Sequence, residues 1–206
     1  MNKISILIAD DHVMVRSGLV SLIESQDDFR VVGEAEDGIE AIALTKRLHP
    51  DVVIMDLMMP KKNGIEATRE IRALSPETKI VILTSFSTSD GIVHALKAGA
   101  AGAILKSDDF STLAAAIRTV STGDRAISPD IQKLIDEDPP VPDLTARQEE
   151  ILDAIVRGQT YTDIALRCNI SEATVKEHIA LICNKLGAAN RSEAIAIALR
   201  KHLLKI

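Results

Sequence analysis

Apolar residues gather along the first 120 positions in short runs, at Ile4 to Ala9, Val31 to Val32, Val52 to Met55, Ile80 to Leu83 and Ala103 to Leu105. Helix-length segments separate them. This βαβαβ alternation predicts a parallel sheet covered by helices on both faces. Helix starts carry the reciprocal capping spacing, as in Asp37-Gly-Ile-Glu40 and Asn63-Gly-Ile-Glu66, and the pattern predicts helices over 12–26, 37–49, 64–74, 88–98 and 109–122. After Gly123 the alternation stops. Pro129, Pro139, Pro140 and Pro142 stand among Asp136, Glu137 and Asp138, which reads as a linker with room for one short helix. Beyond it every segment reads helical, opening at Thr145, Thr160, Ser171 and Asn190. The organisation expected is therefore an α/β domain over 1–122, a linker over 123–142 and an all-α four-helix domain over 143–206.

The stretch DVVIMDLMMPKKNG, residues 51 to 64, raises the first chemical question. A buried strand ends there in a carboxylate, Asp56, which is costly unless a cation meets it. In an open parallel sheet the ligand site lies outside the carboxyl ends of the strands, so the residues that finish each strand are the informative ones. The first run ends in Asp10 and Asp11, the third in Asp56, the fourth in Thr84 and Ser85, and the fifth in Lys106. Each has an ordinary reading alone: a helix cap, a turn residue, a strand end, a solvated lysine. Together, three acids, a hydroxyl and an ammonium from distant parts of the chain converge on one edge. Such an all-oxygen pocket suits Mg²⁺, and a metal with an open position can receive a phosphoryl group. Asp56 is then the nucleophile, forming an acyl phosphate, while Thr84 donates to a phosphoryl oxygen and Lys106 pairs with its charge.

Composition narrows the setting. The 206 residues are 46% apolar and 26% charged, an ordinary globular balance. The first apolar run is too short for a membrane span, and two cysteines, Cys168 and Cys183, fit reduced core thiols of a cytoplasmic protein and not a disulfide framework. Charge is unevenly spread. Residues 1–141 carry 15 Lys and Arg against 22 Asp and Glu, a net of −7, whereas residues 142–206 carry 9 against 8, a net of +1. Different partners for the two halves are implied.

In the rear half, Val175, Ile179, Ile182 and Leu186 form an inward stripe, and Ala165 suits a close crossing before the tight connection at Asn169-Ile170-Ser171. Thr174, Lys176, Glu177, Ala180 and Asn184 stand on the other face. A helix-turn-helix whose second helix enters the major groove fits this spacing, and so does a generic four-helix adaptor.

Asp10-Asp11, Asp56 with Pro60 and Gly64, Thr84 and Lys106 together resemble the receiver domain of two-component response regulators, over about residues 3–122. The resemblance implies a flavodoxin-like five-stranded sheet, Mg²⁺ held by Asp11, Asp56 and the Met58 backbone carbonyl with Asp10 nearby, and phosphorylation of Asp56 by a sensor histidine kinase. This chain departs from that family at Ala103, where the family usually carries Tyr or Phe. The segments LTARQEEIL, SEATVKEHI and KLGAANRSEA are similar to the LuxR-type helix-turn-helix, over nearly all of 143–204. That similarity implies double-stranded DNA as a partner, a recognition helix over Ser171 to Leu186, and a last helix that aids dimerisation. It implies DNA contacts by Thr174, Lys176, Glu177, Ala180, Asn184, Lys185 and Arg191, with Glu177 able to accept from a cytosine amino group. His178 falls at a structural position of the pattern. The whole is similar to response regulators of the NarL/FixJ type: transcription factors that dimerise on phosphorylation, with RNA polymerase a further possible partner and no membrane involved. Two rival readings fit the same residues. A phosphohydrolase would use Asp56 but generally needs a second acid where this chain has Met58, and a phosphorylation-independent DNA-binding protein is hinted at by Ala103.

Overall fold

The structure, a computed structural model, describes residues 3–85, 89–201 and 203. They form two compact units, Met1–Asp138 and Pro139–Ile206. The first begins with β1 (Ile4–Ala9), α1 (Val13–Glu24), β2 (Phe29–Ala35), α2 (Gly38–Leu48) and β3 (Val52–Met55). It continues through α3 (Gly64–Leu74), β4 (Lys79–Thr84), α4 (Ser89–Lys97), β5 (Gly102–Leu105) and α5 (Phe110–Ser121). With a further strand, β6 (Ala126–Ile127), all strands pair in parallel, in the order β2-β1-β3-β4-β5-β6. Alternation along each strand sends side chains to two cores. Val53, Met55, Ile80 and Ile82 meet α2, α3 and α4 on one face, while Val52, Ile54, Val81 and Leu83 meet α1 and α5 on the other. Caps set the helix starts: Asp37, Asn63 and Asp109 each accept from the backbone N–H three residues on. That satisfies donors the helix itself leaves orphaned. The helix expected from residue 88 runs from Ser89, and residues 86–88 lie outside the described ones.

Two expectations need correction. The sheet has six strands, not five, because β6 (Ala126–Ile127) pairs with the outer edge of β5. The segment read as a linker from 123 is folded onto the first unit as far as Asp138. After β6 comes α6 (Pro129–Glu137), capped by Ser128, whose hydroxyl accepts from Ile131 N–H, with Pro129 in the first turn where it is tolerated. The physical reason lies in an apolar set that the prolines and acids obscured. Ile131, Leu134 and Ile135 share one face of α6. Ile131 is fully buried and the other two pack beside it against the β3–β5 core. Burying such a side chain contributes about 1.5–3 kcal/mol, which a solvated linker forgoes.

The second unit holds α7 (Ala146–Val156), α8 (Tyr161–Cys168), α9 (Glu172–Leu186) and α10 (Arg191–Arg200). The caps are the four residues expected: Thr145 and Thr160 in reciprocal boxes with Gln148 and Asp163, then Ser171 and Asn190. Val175, Ile179, Ile182 and Leu186 are all buried, against Ile151, Ile155 and Ile164. Asn169 ends α8 in the left-handed region, φ 51°, which turns the chain into α9. No described helix is long and apolar enough to cross a membrane. Both cysteines are free, and burial pushes both thiols up.

Candidate functional site

At the carboxyl ends of β1, β3 and β5 the structure brings Asp10, Asp56 and Lys106 into contact. The Lys106 ammonium lies 2.6 Å from Asp10 Oδ2 and 3.1 Å from Asp56 Oδ2, so a lysine answers the carboxylate that ends the buried strand. Burial pulls the Lys106 ammonium down, but hydrogen bonding to Asp10 and the charges of both acids more than offset it, leaving it above its ordinary value. Burial raises Asp56 and the nearby Asp10 adds to this, outweighing Lys106 and the Leu57 N–H. Both Asp10 and Asp56 are buried, whereas Asp11 is exposed. Thr84 is fully buried at the end of β4, and its carbonyl accepts from Lys106 N–H at 2.8 Å.

The loop after β3 is built around Asp56. Leu57 N–H donates to Asp56 Oδ1 at 2.8 Å, and Gly64 N–H donates to Leu57 O at 2.9 Å. A Cβ on Gly64 would lie 2.0 Å from the Asp56 carbonyl oxygen, so the start of α3 must be glycine to pass this close. Lys61 takes a left-handed φ of 63° and reaches Asp37 at 2.5 Å, holding that buried carboxyl below its usual range. This tie, with Gly38 N–H donating to Lys62 O at 3.1 Å, fixes the loop that carries the Met58 carbonyl.

Sequence reasoning missed two residues here. His12 caps α1 without a side-chain cap bond, and its Nδ1 lies 2.7 Å from Asp11 Oδ1 and 3.4 Å from Asp10 Oδ1. Arg16, one turn on, donates to the Asp10 carbonyl at 2.7 Å. The signal was present in Asp-Asp-His followed by an arginine at helical spacing. Asp10, Asp11, His12 and Asp56 offer ligand atoms all within 4.8 Å of one another. Three hard carboxylates suit Mg²⁺. Because Asp11 is the one acid of the three that Lys106 does not touch, Asp11→Ala is expected to weaken Mg²⁺ binding markedly while leaving the Lys106 bridge. Calorimetric titration with an unchanged affinity would remove Asp11 from the metal site.

In the second unit, Lys176, Glu177, Ala180 and Asn184 are exposed on α9. Thr174 is half-buried, and its hydroxyl is 2.9 Å from that of Ser171. Lys185 is half-buried. Its ammonium donates to Asp143 O and Gln148 Oε1, both at 2.8 Å, which turns it toward the start of α7 and away from the exposed set. Arg191 begins α10 and faces Tyr161, a residue that sequence reasoning passed over. His178 is half-buried, and the described metal-capable group does not include it.

Comparison with known proteins gives a match to the response regulator receiver domain over residues 6–118 and to bacterial regulatory proteins of the luxR family over residues 142–198. The transcriptional regulatory protein LiaR of Bacillus subtilis (strain 168) is 38% identical over 209 residues, 98% of this chain and 99% of LiaR. A structure of two RcsB dimers bound to two parallel DNAs is similar at TM-score 0.70 and 26% identity, covering 97% of this chain and 99% of that one. RcsB from Salmonella enterica serovar Typhimurium bound to the promoter P1flhDC, in the presence of the phosphomimetic BeF3-, is similar at TM-score 0.72 and 26% identity, with the same coverage.

Proposed function

Since the chain belongs to the two-component response regulators that join a receiver domain to a LuxR-family DNA-binding domain, and so regulates transcription, we propose that Asp56 accepts a phosphoryl group from a sensor histidine kinase, which drives dimerisation and sequence-specific binding to duplex DNA. The observation that carries this reading is Lys106 bridging Asp10 and Asp56 at the strand ends. A carboxylate oxygen of Asp56 attacks phosphorus, the phosphorus–nitrogen bond of the kinase phosphohistidine breaks, and its electron pair returns to the imidazole. An acyl phosphate remains. Lys106 partly offsets the burial that raises Asp56 and then faces the added charge. Asp11 and Asp56, with Asp10 and the Met58 carbonyl, are the residues that would hold Mg²⁺, whose contribution when bound is to neutralise phosphoryl oxygens. The protein is read as a substrate of the kinase, not an enzyme, acting in the cytoplasm where its DNA lies.

With Ala103 at the position of the usual ring, the signal needs another carrier, and α6 is the one proposed. It sits on β5 at that position: Ala103 pairs with Ile127, Ser128 N–H donates to Ala103 O at 3.0 Å, and Ala103 and Ile131 share one buried cluster. At its far end the Asp138 carbonyl accepts from the Ser89 hydroxyl, at the start of α4. Movement of Thr84 toward a phosphoryl oxygen then reaches α4, five residues on, and through Ser89 the last residue of the first unit. Ala103→Tyr should therefore unseat α6, because a ring at a fully buried site needs volume that the cluster shared with Ile131 already fills. Hydrogen exchange is expected to accelerate over 131–138 with the β1–β4 amides still protected. Unchanged protection of α6 would rule out this seat.

The test of the function as a whole is incubation with Mg²⁺ and a small acyl-phosphate donor. One stable equivalent per chain is expected. Turnover of many equivalents would indicate a phosphohydrolase, and no uptake a phosphorylation-independent DNA-binding protein.

A further inference from the structure

The second unit has few cations to offer, and most are already engaged. Arg147 and Arg157 face Glu150 and Asp153, Arg167 faces Glu150 at 3.8 Å, and Lys185 and Lys201 donate to backbone carbonyls. Lys176 and Arg191 are placed differently. Lys176 Nζ lies 5.8 Å and Arg191 Cζ 5.1 Å from the centroid of the same ring, that of Tyr161. The two cations come from α9 and α10, and the ring from the first residue of α8. Arg191 Nη2 also donates to Gln159 O at 2.9 Å, which fixes its approach. Tyr161 is itself held, packed against the core of the unit and next to the Thr160 cap.

An aromatic face attracts a cation within about 6 Å without cancelling its charge. A carboxylate partner would cancel it. The ring therefore orders two long side chains and leaves their positive charge available to an anion. We propose that Tyr161 is a positioning residue of the DNA interface, which gathers Lys176 and Arg191 onto one stretch of phosphate backbone and so withdraws Lys176 from reading base edges. This rests on the DNA-binding reading given above. It assigns Lys176 to phosphate, a contact that positions the protein but carries no sequence information. Sequence preference is then left to Glu177, Ala180 and Asn184, polar or small exposed residues further along α9.

The experiment uses the full chain, phosphorylated and unmodified, with mixed-sequence duplexes titrated across a range of salt. Each phosphate neutralised contributes about −0.9 to the slope of log affinity against log salt. Lys176→Ala should weaken all duplexes alike and flatten the slope by about 1. Tyr161→Leu keeps both cations but loses the ring; it should weaken binding by about two- to fivefold for each cation released and flatten the slope, whereas Tyr161→Phe should behave as wild type. Lys176→Ala should also cost less in the Tyr161→Leu background than in the wild type. That coupling separates positioning from a general loss of fold, which thermal melting of the same variants monitors.

A readout in the unmutated protein is also at hand. The chain has one tyrosine and no tryptophan, so tyrosine emission reports this ring alone, and it should change on addition of DNA in the wild type but not when Lys176 and Arg191 are both alanine. Wild-type slope and affinity in Tyr161→Leu, equal losses in Tyr161→Phe and Tyr161→Leu, or additive losses in the double variant would each overturn the proposal while leaving DNA binding intact. Failure of the wild type to bind any duplex at low salt would overturn the DNA-binding reading and this proposal with it.

Discussion

Asp56→Asn takes up no phosphoryl group from an acyl-phosphate donor and keeps its fold: this is the all-or-none result expected from the pocket. A carboxamide is neutral and lacks the anionic oxygen that attacks phosphorus. The same variant should melt higher in Mg²⁺-free buffer at neutral pH. Burial and the neighbouring Asp10 raise the Asp56 carboxyl above its unfolded value despite Lys106, so the folded state loses stability as pH rises from the unfolded value through the raised one, and the full cost stands above it. The cost vanishes in the other direction: below the unfolded value both states are protonated, and wild type and variant should converge as pH falls. Intact mass and thermal melts against pH measure the two effects. A full phosphoryl equivalent on Asp56→Asn would place the acceptor elsewhere, and a variant less stable at neutral pH would show that Lys106 governs the Asp56 carboxyl more than burial does.

Phosphorylation should tighten DNA binding by about 10²–10⁴ through pairing alone, since a second contact made within one complex adds avidity without a new contact. The charge balance makes this the expected route. A unit of net charge +1 neutralises few phosphates, so a single copy is expected to hold duplex weakly at physiological salt. Two copies related by a two-fold axis then call for inverted half-sites about one helical turn apart. Sedimentation of both forms alongside DNA titration checks it. Phosphorylated protein that stays monomeric, free and on DNA, yet binds more tightly would replace pairing with release of an occluded recognition helix.

Much of the molecule was legible in one dimension. Strands β1 to β5 announced themselves as apolar runs, and the caps at Asp37, Asn63, Thr145, Thr160, Ser171 and Asn190 sit where their side chains can accept three residues on. Such signals are local: a cap or an alternating run needs only its neighbours. The strand-end rule extends that reach, because parallel strands must all point one way, and so Asp10, Asp56 and Lys106 were placed together before any distance was known. Where the deciding contact is non-local, the same reasoning fell short. The stretch 126–137 looks like a linker until β5 offers it an edge and the β3–β5 core offers Ile131 a burial site. Lys185 reads as one more cation on α9, and only the fold shows the Asp143 carbonyl and Gln148 taking its ammonium. Tyr161, Lys176 and Arg191 are spread over 30 residues and three helices, and no period in the sequence links them. Periodicity and capping are properties of a segment and so belong to the sequence; which distant side chain fills a volume or meets a charge is set by how the segments pack, and only the tertiary structure decides it.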